Sequence, residues 1–222
     1  MGFLAEHGLE HYPNRAEKLA DWWVHAVGLT GAVAGGLVLV VLSAVWGGVE
    51  LAVATGLYAV CLVAMLACSA AYNQARASAA RPLLRRLDEA AIFLMIAGSY
   101  TPFTTQRLTG DWAIGMTAAV WVTALAGVAA KLFAPGAPER LWTLAYVGFG
   151  WISVIAIGPL VSGVPMVALV LLVVGGLLYS AGTLVFHSRL PYRRAIWHGF
   201  VVGAAGLHFA AVWTGVVLAA PR

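Results

Sequence analysis

Four polar pairs stand out in an otherwise apolar chain. Asp21 and His25 are four residues apart, as are Ser69 and Asn73, and Arg194 and His198; Asp88 and Glu89 are adjacent. On a helix the i, i+4 spacing puts both members of a pair on one face. Imidazole and carboxylate groups can ligate a metal or move a proton. An arginine can stabilise an oxyanion. His208 lies ten residues beyond His198, about 15 Å further along a helix. That is too far to share a small metal site, so His208 is expected to be a buried donor with its own partner on another helix.

The elements that must position these groups are membrane helices. The chain has 222 residues, of which 62% are hydrophobic and only 10% charged, and its mean hydropathy is +0.88. A soluble domain carries about 25% charged residues, so a soluble globule and a disordered chain are both excluded. Seven apolar runs are expected at residues 22–46, 48–72, 89–105, 112–133, 141–157, 166–186 and 195–219. Each is close to the ~20 residues a spanning helix needs. Ala134–Arg140 and His187–Arg194 are polar breaks, and Pro159, Gly163 and Pro165 mark a turn. The alternation of a membrane barrel strand is absent. The expectation is an all-α membrane protein, a seven-transmembrane helix bundle in one domain behind a short segment at residues 1–21. That segment lacks the apolar core of a secretory leader.

Basic residues set the orientation. All thirteen lysines and arginines except Arg107 and Arg222 fall on one side of the seven runs. The N-terminus is therefore expected in the cytoplasm and the C-terminus outside. Only Lys18 and Lys131 are lysines, and both sit at helix ends, so a retinal Schiff base is excluded. Nothing in the charge pattern points to nucleic acid; membrane lipids are the expected partners. Cys61 and Cys68, seven residues apart in one run, are too far apart on a helix for a disulfide and read as reduced packing residues. The GxxxG spacings Gly31/Gly35 and Gly199/Gly203 read as close helix packing.

His25 with Gly28, the segment Ser69–Asn73 (SAAYN), Leu84–Phe103 (LRRLDEAAIFLMIAGSYTPF) and Ala195–Val212 (AIWHGFVVGAAGLHFAAV) together resemble the hemolysin III family, the bacterial branch of the progestin and adipoQ receptor (PAQR) proteins. The resemblance covers nearly the whole chain. It implies a seven-helix fold in a bacterial inner membrane and a zinc site near the cytoplasmic face. The family pattern supplies three histidine ligands: one ends the second helix, four residues after a serine, and two begin the seventh. An aspartate opening the third helix holds a water near the metal. In this chain the serine is Ser69, the aspartate Asp88 and the last histidine His198. Asn73 and Arg194 stand at the other two histidine positions, and Glu89 replaces a common histidine after the aspartate.

A carboxamide is a poor zinc ligand and a guanidinium repels the cation. The expectation is therefore no cofactor, with a salt bridge from Arg194 to Asp88 or Glu89 in place of metal and with Asn73, Ser69, His198 and His25 nearby. The alternative is a rebuilt zinc site drawn from His198, Asp88, Glu89, His187 and His25. Asp21 and Asp88 read as helix caps, although Asp88 and His198 are also the candidate catalytic groups. Function is expected to be that of a non-catalytic lipid-binding sensor or membrane regulator. A metal-dependent lipid amide hydrolase is the alternative, and a cytolytic or channel-forming protein the second. No run carries the polar stripe of a pore.

Overall fold

The computed structural model describes residues 12–76, 78–134 and 136–220. Among the described residues all regular structure is helical. Helix α1 covers Arg15–Gln74, α2 Arg81–Gln106, α3 Gly110–Phe133 and α4 Glu139–Gly150. A 3₁₀ segment, Ile152–Ala156, leads into α5 (Ile157–Gly163). Then come α6 (Met166–Phe186) and α7 (Arg193–Val212), the latter ending in a π turn, Trp213–Val217. Five stretches are long and apolar enough to cross a membrane: Arg15–Gln74, Gly110–Phe133, Glu139–Gly163, Met166–Phe186 and Arg193–Val217.

The sixty residues of α1 are a helical hairpin. Gly48 has φ 77° and ψ −167°, outside helical space. The limbs on either side of it touch: a Cβ on Gly36 would lie 3.1 Å from Ala59, and one on Gly56 3.9 Å from Val40. These contacts are symmetrical about Gly48, as expected of antiparallel limbs. Asn14 caps the start: its Oδ1 accepts from Glu17 N at 2.9 Å and its Nδ2 donates to Glu17 Oε1 at 3.2 Å. The first bond is an N-cap; the second ties the Asn14 side-chain amide, rather than its backbone N–H, to the residue three on. Asp21, expected as a cap, sits two turns inside the helix.

Helix α2 packs on both α1 and α3, α6 packs on α7, and α7 packs back on α1. Close approach depends on glycine at Gly98, where a Cβ would lie 2.6 Å from that of Cys61, and at Gly182, 2.8 Å from that of Phe200. Of the GxxxG positions, Gly35 and Gly203 meet neighbours while Gly31 and Gly199 face open space. Val49, Val45, Ile114 and Leu184 are exposed, an outer surface suited to lipid.

Polar bonds tie the inner helices together. Tyr100 donates to Gly150 O at 2.7 Å, and Thr101 accepts from Trp121 Nε1 at 3.1 Å. Pro102 lies inside α2, which continues to Gln106. Lys131 of α3 is buried and donates to Glu89 Oε2 at 2.5 Å. Its ammonium sits 4.0 Å from the Trp142 ring centre, a cation–π contact. Arg85 donates to the other Glu89 oxygen at 2.8 Å.

Gly48 occupies backbone space essentially reserved for glycine. Gly48→Ala is expected to cost about 1–3 kcal/mol and lower the unfolding midpoint in detergent, although no atom would crowd the new Cβ. Gly115→Ala, in the exposed interior of α3, is expected to hold or raise that midpoint.

Candidate functional site

The hairpin brings the ends of its two limbs level, and α7 closes against them. At that level the fully buried Asp21 collects three donors, two on its carboxylate and one on its backbone carbonyl. Tyr12, folded back ahead of the Asn14 cap, donates its hydroxyl to Oδ2 at 2.5 Å. His198 of α7 donates from Nδ1 to Oδ1 at 2.5 Å. His25 Nδ1 donates to the Asp21 carbonyl at 2.9 Å and lies 3.3 Å from Oδ2. Burial and the neighbouring carboxylate push the Tyr12 phenol above its ordinary range, so it remains a donor at neutral pH.

The far nitrogens of both imidazoles converge on one hydroxyl. His25 Nε2 is 3.2 Å and His198 Nε2 3.5 Å from Ser69 Oγ, and the two rings meet edge-on with centres 4.4 Å apart. Ser43, Thr55, Thr101 and Ser180 return their hydroxyls to the carbonyl four residues back; Ser69 Oγ lies among the histidines. Asn73 donates to Ser69 O at 3.0 Å and to Oγ at 3.4 Å. Arg194 Nη1 donates to Asn73 Oδ1 at 3.2 Å.

The structure thus brings together Ser69, Asn73, Arg194, His198 and His25, with Asp21 and Tyr12 at their centre. Asp88 lies beside Ser69, within electrostatic reach of His25 and Arg194. Glu89 faces Lys131 and Arg85 and serves as a strut between α2 and α3. His187 is exposed and shares a hydrogen bond with Thr143 at 3.0 Å. His208 reaches the Leu172 carbonyl of α6 at 3.3 Å, far from the cluster. Sequence reasoning missed Tyr12 and the central role of Asp21. The available signal was that Asn14, with Glu17 three residues on, already provides a cap, leaving Asp21 without that task.

The cluster opens onto a cavity of about 1020 Å³ that runs inward past Met95, Ser99 and Tyr100 to Leu172, Tyr179 and His208. Its lining joins the polar cluster to apolar side chains that include Met95, Leu160, Leu169 and Leu172.

A helical membrane protein with a polar cluster at one end of an internal cavity is the class that fold and site define. The family description "Haemolysin-III related" matches residues 15–209, and the chain belongs to that family. It is 29% identical over 197 residues to "Hemolysin-3 homolog" of Bacillus subtilis (strain 168), covering 88% of this chain and 92% of that one. It is 31% identical over 197 residues to "Hemolysin-3" of Bacillus cereus, covering 88% and 90%. Human "Monocyte to macrophage differentiation factor" is 25% identical over 207 residues, covering 90% and 85%. That last similarity extends the kinship to the wider PAQR superfamily.

The zinc that the family resemblance implies can be tested against these donors. At the positions of the family pattern the residues do not fit, since the Arg194 guanidinium is bonded to Asn73. A different set does fit: Asp21, His25 and His198 offer ligand atoms all within 4.8 Å of one another. Two imidazoles and a carboxylate are an ordinary zinc donor set.

Asp21→Ala removes the acceptor of several buried donors at once. It is expected to cost about 3–5 kcal/mol, read as a lowered unfolding midpoint in detergent. Tyr12→Phe, which removes one donor, is expected to cost about 1–2 kcal/mol.

Proposed function

We propose that this chain is a seven-span protein of the bacterial inner membrane that binds a single-chain lipid and acts as a non-catalytic sensor or regulator of membrane state. Its N-terminus faces the cytoplasm and its C-terminus the outside. The spans are the two limbs of α1, then α2, α3, α4 with α5, α6 and α7. The basic residues at the cytoplasmic ends support that orientation, and alkaline phosphatase fused to the C-terminus should be active.

The cavity carries the proposal. At about 1020 Å³ it stands at the upper end of ordinary ligand pockets, ~300–1,000 Å³. Arg194, Asn73 and Ser69 stand at its polar end, where a lipid carboxylate or carbonyl would find donors. The apolar side chains of its lining suit an acyl chain. The non-catalytic reading draws support from Arg194, whose guanidinium stands at one of the family's histidine positions and is bonded to Asn73 at another.

A second reading has its own observation. The Asp21–His25–His198 donor set supports a rebuilt zinc site and, with it, a lipid amide hydrolase. Zinc bound there would supply a Lewis acid and an acidified water. Ser69 and Asn73 would then orient the lipid carbonyl.

One preparation tests both readings. Protein purified in mild detergent is expected to yield about one extractable single-chain lipid per chain by mass spectrometry, and no stoichiometric metal. Absence of lipid overturns the lipid-binding reading. Zinc near one per chain, lost in His198→Ala, overturns the metal-free assignment in favour of the hydrolase.

A further inference from the structure

The wall of the cavity carries more cations than carboxylates. Arg85 and Arg86 from the first turns of α2, Lys131 from the end of α3, and Arg193 and Arg194 from the start of α7 all line it. The carboxylates on the same wall are Asp88, Glu89 and Glu139. Five cations against three carboxylates leave an excess of two positive charges when the histidines are neutral.

Basic residues at a cytoplasmic helix end are ordinary topology signals, but part of this charge is enclosed. Lys131 is only 3% exposed. Its partner Glu89 is shared, because Arg85 takes the other carboxylate oxygen. One carboxylate cannot neutralise two cations, and Glu139 reaches Arg85 only at 3.9 Å, between two exposed side chains. Arg86 donates to the Leu132 carbonyl at 3.1 Å and Arg193 to the Ser188 carbonyl at 3.2 Å. A carbonyl brings no formal charge, and among the described residues neither arginine is paired with a carboxylate. Arg193 also acts on Arg194 as a like-charged neighbour. Cations withdrawn from water need a counter-charge, so this end of the cavity favours an anion.

We propose that it takes a phosphate monoester, carried as the head group of a single-chain lipid. This rests on the lipid-binding reading of the cavity and narrows its ligand to a dianionic head group. A phosphate monoester carries about −1.5 to −2 charge at neutral pH and presents three acceptor oxygens. That charge matches the excess on the wall, whereas a carboxylate supplies one unit. The oxygens suit guanidinium forks arriving from α2 and α7.

Three probes share one oleoyl chain and differ in head-group charge. Mono-oleoylglycerol has none, oleate has one, and oleoyl lysophosphatidate has about two at pH 8. Each is used to displace a fluorescent fatty acid from the full chain in neutral detergent, and glycerol 3-phosphate supplies the head group without the chain. The wild-type protein is expected to bind lysophosphatidate about tenfold more tightly than oleate, the worth of one charge-assisted hydrogen bond. The gap is expected to narrow in high salt. Arg193→Gln is expected to lower the preference about threefold or more. Arg189→Gln, in the same loop but off the cavity wall, is expected to retain it. Oleate as tight as lysophosphatidate in the wild type, a comparison that needs no variant, overturns the dianionic site. A preference undiminished in Arg193→Gln overturns it as well and assigns the gap to general surface charge. Glycerol 3-phosphate as effective as lysophosphatidate overturns the lipid source in favour of a free phosphate ester. If none of the three lipids displaces the reporter, the lipid reading of the cavity falls along with the head-group site.

Discussion

A carboxylate with no access to water must be met by donors from its own chain, and at Asp21 that requirement organises one end of the molecule. His25 answers from the same helix, Tyr12 from the segment before it and His198 from the last helix. The last of these contacts joins α7 to α1 and so closes the ring of helices. It also orients both imidazoles, because each spends Nδ1 on Asp21 and turns Nε2 towards Ser69. The candidate site and the closure of the bundle are therefore one construction.

Helix α2 shows the converse. It carries Arg81, Arg85, Arg86, Asp88 and Glu89 in its first turns, and it is not among the stretches long and apolar enough to cross a membrane. Its buried face, including Phe93, Ala97, Thr101 and Phe103, packs against α1 and α3. A helix enclosed by others does not need an apolar surface all round. Its polar first turns are held instead by Lys131, which lies under Trp142 and Tyr146, and by the Tyr146 hydroxyl donating to Glu89 O at 2.9 Å.

Much of this was legible beforehand. Helical composition, the membrane as solvent and the family all follow from apolar runs and local motifs. The i, i+4 pairs were legible as well, because that spacing is a property of one helix. Partnership across helices was not. Arg194 was expected on Asp88 or Glu89, yet its guanidinium donates to Asn73 and Glu89 is engaged by Lys131. Nothing local to Lys131 says that its ammonium will be drawn inward between aromatic rings rather than left in solvent. Asp21 was misread as a cap because aspartate near a helix start is usually one. Only the arrival of α7, 177 residues away in sequence, gives it a different task.

The reversal at Gly48 bears on how the chain enters the membrane. One glycine connects the limbs, so no hydrophilic loop has to be carried through the hydrocarbon layer between them. From Trp22 to Ala75 the sole formal charge is Glu50, two residues past the bend. Insertion of the first third of the protein thus transfers little more than a pair of apolar rods. In the seven-span arrangement proposed above, Asp21 and His25 stay behind at the entry side, where they await the last helix to be made.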